Sequence, residues 1–265
     1  MRTPVAPREA AAVVLARDAA GGIEVLLVQR HGASRFAPGA FAFPGGRVEA
    51  EDATPETASR CRGLTPGDAA AALPDVRPPG RAIGFWIAAL REAFEETGLL
   101  LAYDRSGAPF EPGRLAAGWL DARRARCHGD AAAFGALLAE GGLALATDRL
   151  AYYAHWITPE ERPLRYDTRF FVGAAFPDAS PEADGTEIVA TEWLAPEAAL
   201  AGHGAGEMTL PFPTRTLLGS IAPHPTVEAL LRAARAQREV PAIRPRMIVE
   251  DGRERAILPG DPGYY

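Results

Sequence analysis

The stretch Arg91-Glu92-Ala93-Phe94-Glu95-Glu96-Thr97-Gly98-Leu99 ends a helix-forming run that opens near Arg81, and it sets three carboxylates at the helix end. At 100° per residue, Ile83, Ile87, Leu90 and Phe94 fall within about 40° of one another and make a core-facing stripe. Glu92, Glu95 and Glu96 fall about 120–220° round, on the opposite face. Gly98 stands where a left-handed residue ends a helix. The acids therefore crowd the negative end of the helix dipole, where cations are normally preferred. Each like-charge neighbour at i+3 or i+4 costs about 0.2–0.5 kcal/mol and the dipole adds about 0.3–1 kcal/mol. Something is expected to offset that cost, a bound divalent cation being the candidate, and an oxygen-only ligand set suits Mg²⁺ or Mn²⁺ better than zinc.

Upstream of the helix, Ala11 to Ala16 and Ile23 to Gln29 read as strands of a hairpin, turning at Asp18-Ala19-Ala20-Gly21-Gly22. Phe41-Ala42-Phe43 reads as a short strand that stops at Pro44-Gly45-Gly46. Two glycines there let the backbone approach a ligand or metal and expose a carbonyl. Thr54 to Gly80 shows no steady period and reads as an insertion with one short helix near Pro66 to Leu73. Downstream, Leu115 to Gly141 reads as helical, and Leu150 to Ile157, Thr168 to Phe176 and Ile188 to Leu194 as strands. Helices follow from Pro196, over Thr214 to Ile221 and over Thr226 to Gln237, with a last hairpin around Asp251-Gly252. Uneven alternation of strands and helices favours an α/β fold with a mixed sheet between helices.

Composition narrows the chemistry. All 28 positive residues are arginine, which excludes a Walker-A, Schiff-base or kinase-type lysine. The net charge of −6 argues against a non-specific nucleic-acid binder. No apolar run approaches the roughly 20 residues that span a bilayer, so no membrane partner is expected. Cys61 and Cys127 lack CxxC spacing and read as free thiols. Neither end carries a signal-peptide or organelle-retention pattern, and a cytoplasmic setting is the default expectation.

The pieces together resemble the Nudix box: Gly, five residues, Glu, seven residues, then Arg-Glu-aliphatic-x-Glu-Glu-x-Gly-aliphatic. Gly46 is followed after five residues by Asp52, where the pattern has Glu, with Glu51 beside it. Residues 53–90 stand in place of the usual seven, and Ala93 fills the aliphatic slot. A box split at this place resembles the Nudix hydrolase 19 (RP2-like) branch. Further segments carry that resemblance: Leu26 to Arg30, Phe36 to Ala40, Phe43 to Gly46, Ala154 to Pro159, Arg165 to Phe171 and Glu192 to Leu194.

The resemblance implies a Nudix α/β/α sandwich over residues 1–240, with 53–80 as the insertion and 241–265 as a hairpin tail. It implies Mg²⁺- or Mn²⁺-dependent hydrolysis of a nucleotide-type diphosphate, first of all coenzyme A or an acyl-CoA. ADP-ribose or a dinucleotide is the alternative within the class, and a nucleotide sensor that does not cleave is the alternative outside it. Glu92 and Glu96 would ligate the metal, Glu95 would ligate it or help deprotonate water, and a Gly45 or Gly46 carbonyl would complete the shell. Arg91 would brace the loop through Asp52 or Glu51 and through Glu95. Arg30, Arg35 and Arg47 are candidates for the phosphates, the alternative for each being a surface salt bridge. A homodimer is compatible with the resemblance, since proteins of this type often pair.

Glu187 reads as a solvated loop acid, the alternative being a distal general base. His155 reads as a packed, hydrogen-bonded histidine rather than a catalytic one. Arg165 to Phe171 either lines the pocket or forms a core strand.

Overall fold

The computed structural model describes residues 5–111, 118–177, 179–250 and 253–264. Its centre is a mixed sheet. β1 (Arg8–Ala19) and β2 (Gly22–Arg30) form the expected hairpin, closing at Ala19 opposite Gly22. β1 is two-faced. Ala11, Val13 and Leu15 enter one core and Ala12, Val14 and Ala16 the other, so a continuous apolar run is what a strand covered on both sides requires.

β3 (Phe41–Ala42) pairs with β2, and β9 (Ile188–Leu194) continues along β2. Residues Pro44-Gly45-Gly46, expected as a stop, instead lead into a further strand, β4 (Gly45–Arg47), antiparallel to β1. A β-carbon at Gly45 would lie 2.5 Å from the Ala11 carbonyl oxygen, so glycine is what permits this approach. On the other edge of β1 lies β8 (Tyr166–Ala174), in parallel, then β7 (Leu150–Ile157), then β10 (Ala242–Ile243). Residues 242–243, read as part of a separate tail, thus add a strand to the main sheet.

Layers cover both faces. α3 (Ile83–Thr97) and α5 (Ala131–Gly141) pack on the first core. α6 (Pro196–Ala205), α7 (Phe212–Ile221) and α8 (Val227–Ala236) pack on the second. The expected α/β/α sandwich is therefore present.

Three local expectations are corrected, and one small element had no counterpart among them. The acidic helix starts at Ile83, because Pro79–Arg81 forms a 3₁₀ turn ahead of it. The run expected as one helix is broken at Gly129, which has positive φ, into α4 (Trp119–Cys127) and α5; its first residues, 115–117, lie outside the described residues. The insertion holds two short helices, α1 (Pro55–Ala58) and α2 (Pro66–Ala72), and Ala58, Ala69, Leu73 and Val76 enter the core. It is thus part of the globule and not a surface loop. A small pair, β5 (Ala102–Tyr103) with β6 (Ala144–Leu145), was not legible at all, since two-residue strands carry no period.

The terminal hairpin is β11 (Arg246–Glu250) with β12 (Arg253–Ile257); its expected Asp251-Gly252 turn lies outside the described residues. No helix among the described residues is long and apolar enough to cross a membrane.

Candidate active site

The last turns of α3 end on Gly98, left-handed at φ 72° as expected. The helix is not half-solvated, however. Every residue in it except Glu92 is buried, including Arg91, Glu95 and Glu96. The acidic face is turned onto β4 and a neighbouring cleft, so its charges are paid out of water at higher cost than on a solvated face.

Arg91 organises this face. Its Nε donates to Asp52 Oδ1 at 2.8 Å and its Nη2 to Asp52 Oδ2 at 3.0 Å, a forked pair. Nη1 donates to Glu92 at 2.9 Å and to Glu95 at 3.1 Å, and Nη2 also reaches the Arg47 carbonyl at 2.8 Å. Asp52, not Glu51, is therefore the partner. The 3₁₀ turn Ala50–Ala53 buries Asp52, whose carboxylate also accepts the Glu49 backbone N–H, and leaves Glu51 exposed. The shorter side chain reaches because this turn brings it in.

Glu96 accepts the Gly45 backbone N–H at 3.0 Å, and Arg30 Nη1 stands 4.0 Å away. A β-carbon at Gly46 would come within 2.4 Å of the Glu92 carboxyl carbon. The two glycines thus do different work. Gly45→Ala collides with backbone and is expected to cost about 1–3 kcal/mol, seen as a lowered melting temperature. Gly46→Ala collides with the movable end of Glu92 and is expected to lower activity more than stability. Paired thermal melts and turnover assays check this; equal effects of the two substitutions on both readouts would refute it.

Burial raises all four carboxyls. Glu95 is pushed up to about 7 by burial, with Glu92 adding to it against the pull of Arg91. Glu96 stands well above its ordinary range through burial and the charge of Glu92. Glu92 and Asp52 are raised by burial as well. Burial alone lowers Arg91, but Asp52, Glu92 and Glu95 outweigh it and hold it charged. One arginine and a more distant Arg30 do not balance four ionised acids, so without a further cation the site favours protonated carboxyls over free negative charge.

Among the described residues no three His, Cys, Asp or Glu side chains converge into a ready metal cage. Glu95 is turned to Arg91 and Glu96 to Gly45. The oxygen-only donors and the excess of acids over cationic partners nonetheless fit a hard divalent cation in chemistry.

The acids open onto a cleft of about 1350 Å³. Arg30, Arg35, Arg47, Gly45 and Gly46 all line it. Arg30 also donates to the Phe36 carbonyl, and Arg47 is paired with Glu49. Arg35 is exposed and makes no ion pair among the described residues. Phe36, 38% exposed, meets Tyr166 edge-to-face across the mouth. Glu187 is exposed but sits on the cleft wall, and its charge helps raise Glu92 and Glu96.

His155 bonds Asp167 at 2.6 Å and is buried, in line with a packed role. Both readings of the 165–171 segment hold by alternation. Tyr166, Thr168 and Phe170 line the cleft, whereas Arg169 and Phe171 are buried behind them. Trp156, Phe212, Pro245 and Met247 complete the walls. Their positions in the chain carried no signal, because each is an ordinary apolar residue until the fold gathers them.

With this geometry in place, residues 6–60 match the NUDIX domain. The crystal structure of a NUDIX hydrolase from Alicyclobacillus acidocaldarius is similar, with a TM-score of 0.71 at 30% identity over 86% of this chain and 96% of that one. The chain belongs to the Nudix hydrolase family. Within it, residues 69–216 match the NUDT19 Nudix domain, which begins inside the insertion that splits the box. Two similar proteins are named acyl-coenzyme A diphosphatase NUDT19, from Gallus gallus (34% identical over 78% of this chain) and Homo sapiens (30% over 73%). The match spans 65% and 59% of those relatives' own lengths.

Proposed function

We propose that the chain is a divalent-metal-dependent diphosphatase that cleaves coenzyme A or acyl-CoA to 3′,5′-ADP and (acyl-)phosphopantetheine. The observation that carries this reading is the acid set of buried Glu95 and Glu96 with half-buried Glu92, short of cationic partners, at the wall of a cleft that also presents arginines. The names of the two relatives support the choice of substrate.

Glu92, Glu95 and Glu96 would hold Mg²⁺ or Mn²⁺, which when bound neutralises phosphate oxygens and makes a water more acidic. The chain's own contribution is positional. Arg91 keeps Glu92 and Glu95 oriented and ties them to the 3₁₀ turn through Asp52. Gly45 and Gly46 let the backbone close on the helix end. Arg30 and Arg35 offer forked donors to the diphosphate. Arg47, held by Glu49, is less available. Retention of all three glutamates favours an enzyme over a sensor, which has no need of them. Two free thiols, Cys61 and Cys127, support a reducing, cytoplasmic setting.

The test offers coenzyme A, acyl-CoAs, ADP-ribose and dinucleotides, with Mg²⁺, Mn²⁺ or chelator, and follows products by mass. Coenzyme A species are expected to be cleaved at the diphosphate, and chelator to abolish turnover. Metal-independent turnover, or none with any diphosphate, overturns the reading. Light scattering tests the homodimer with which the resemblance is compatible.

A further inference from the structure

The cleft continues past the acids and changes character. Its floor is one face of the sheet. Gly45 pairs with Ala12, Ala12 with Phe170, Ala10 with Thr168, and Thr168 with Trp156, so these positions share a side of successive strands. β10 then pairs with β7 at Ile243 and Trp156, and the chain turns directly into the terminal hairpin. Four strand spacings separate β4 from β10, about 19 Å.

Near the acids the floor is Gly45, Ala10 and Ala12, small residues that leave room. Farther along it is Phe170 and Trp156, with Phe212 edge-to-face on Trp156 at 5.9 Å. Met247 and Ala256 form the end wall. They oppose one another across the hairpin and share its face. Val249, two residues on and 73% exposed, extends that face outward. The hairpin lies beyond the residues matched to either family.

We propose that this far section binds the acyl chain of an acyl-CoA, and that the hairpin face of Met247 and Ala256 makes acyl-CoA preferred over free coenzyme A. The inference rests on the coenzyme A reading above and goes on to choose between its two substrates. With the diphosphate beside the glutamates and Arg30, the pantetheine arm runs along the floor. That arm has about twelve chain atoms, equivalent to about four extended residues or about 14 Å. Its sulfur ends short of β10, in the Trp156 and Phe212 section, and a thioester-linked chain continues onto Met247 and Ala256. Free coenzyme A leaves that apolar section wet, whereas an acyl chain removes its methylenes and the hairpin face from water.

The experiment compares kcat/KM for coenzyme A, hexanoyl-CoA and decanoyl-CoA, with Mg²⁺, in the full chain and in Met247→Asp, Met247→Leu and Ala256→Glu. The unsubstituted chain is expected to favour decanoyl-CoA over coenzyme A by about tenfold, the scale of burying two methylenes or fewer at full value. Met247→Asp and Ala256→Glu are each expected to bring that ratio near one, and Met247→Leu to retain it. Melting temperatures measured alongside separate a local effect from misfolding. Equal kcat/KM for coenzyme A and decanoyl-CoA, or a ratio that survives both charged substitutions, overturns the proposal and leaves the diphosphatase reading standing. Turnover of neither overturns both.

Discussion

Arg91→Ala is expected to lower the stability of the chain by about 3–5 kcal/mol, because it strands charge that is already out of water. The guanidinium is buried and supplies bonds to Asp52, Glu92, Glu95 and the Arg47 carbonyl. Its loss leaves Asp52 with only the Glu49 N–H and sets Glu92 against Glu95 with nothing between them. For a chain of this size each kcal/mol moves the melting temperature by about 2–4 °C, so a fall of about 10 °C is expected. Activity is expected to fall with it, since the same arginine orients two of the three glutamates. Arg91→Lys is expected to lie between, keeping the charge and losing the forked bond to Asp52. Thermal denaturation and turnover on the same preparations check this. Lost activity with an unchanged melting temperature would assign Arg91 to substrate contact and refute the brace.

Glu96→Gln is expected to have the opposite signature. Turnover should drop by about a hundred- to a thousandfold, the scale of losing one group that stabilises charge in a transition state. Stability should hold or rise. Glutamine still accepts the Gly45 N–H through its carbonyl oxygen, so the tie between helix and strand survives. A carboxyl whose folded pKa is raised costs stability as pH climbs above the ordinary carboxylate range, because the folded state then holds the proton more tightly than the unfolded chain. Glutamine carries no such cost. In chelator at neutral pH the variant should therefore melt at or above the temperature of the unsubstituted protein. Near-normal turnover, or a large fall in melting temperature, would sink the assignment of Glu96 to the metal.

The two substitutions are expected to divide the acidic helix end into a part that holds the fold together and a part that the proposed function requires. Arg91 and Asp52 satisfy one another in a buried pair with good geometry. Glu96 has one backbone donor and a cation 4.0 Å away. A buried carboxyl left in that condition is a cost to folding that the proposed metal binding would explain.

Reading the sequence alone located α3 and its stop at Gly98, the β1–β2 hairpin, most later strands and helices, and the acids Glu92, Glu95 and Glu96. These are local facts. A period of two or 3.6, a capping glycine and a run of like charges are all written within one segment. It also left Arg91 a choice between Asp52 and Glu51, and it took Gly45 and Gly46 as the end of a strand.

The tertiary structure decided those points. Asp52 meets Arg91 across 39 residues because a 3₁₀ turn and the whole insertion return the chain to the helix. Gly45 becomes ladder because β1 offers it an edge at a distance only glycine allows. The same assembly buries a face that helical periodicity alone would leave to solvent, and it draws Trp156, Phe170, Phe212 and Met247 into one cleft. Local pattern is set by interactions a few residues apart. Burial, ion-pair choice and cleft walls are set by which distant segments the closed globule brings into contact, and no single segment records that.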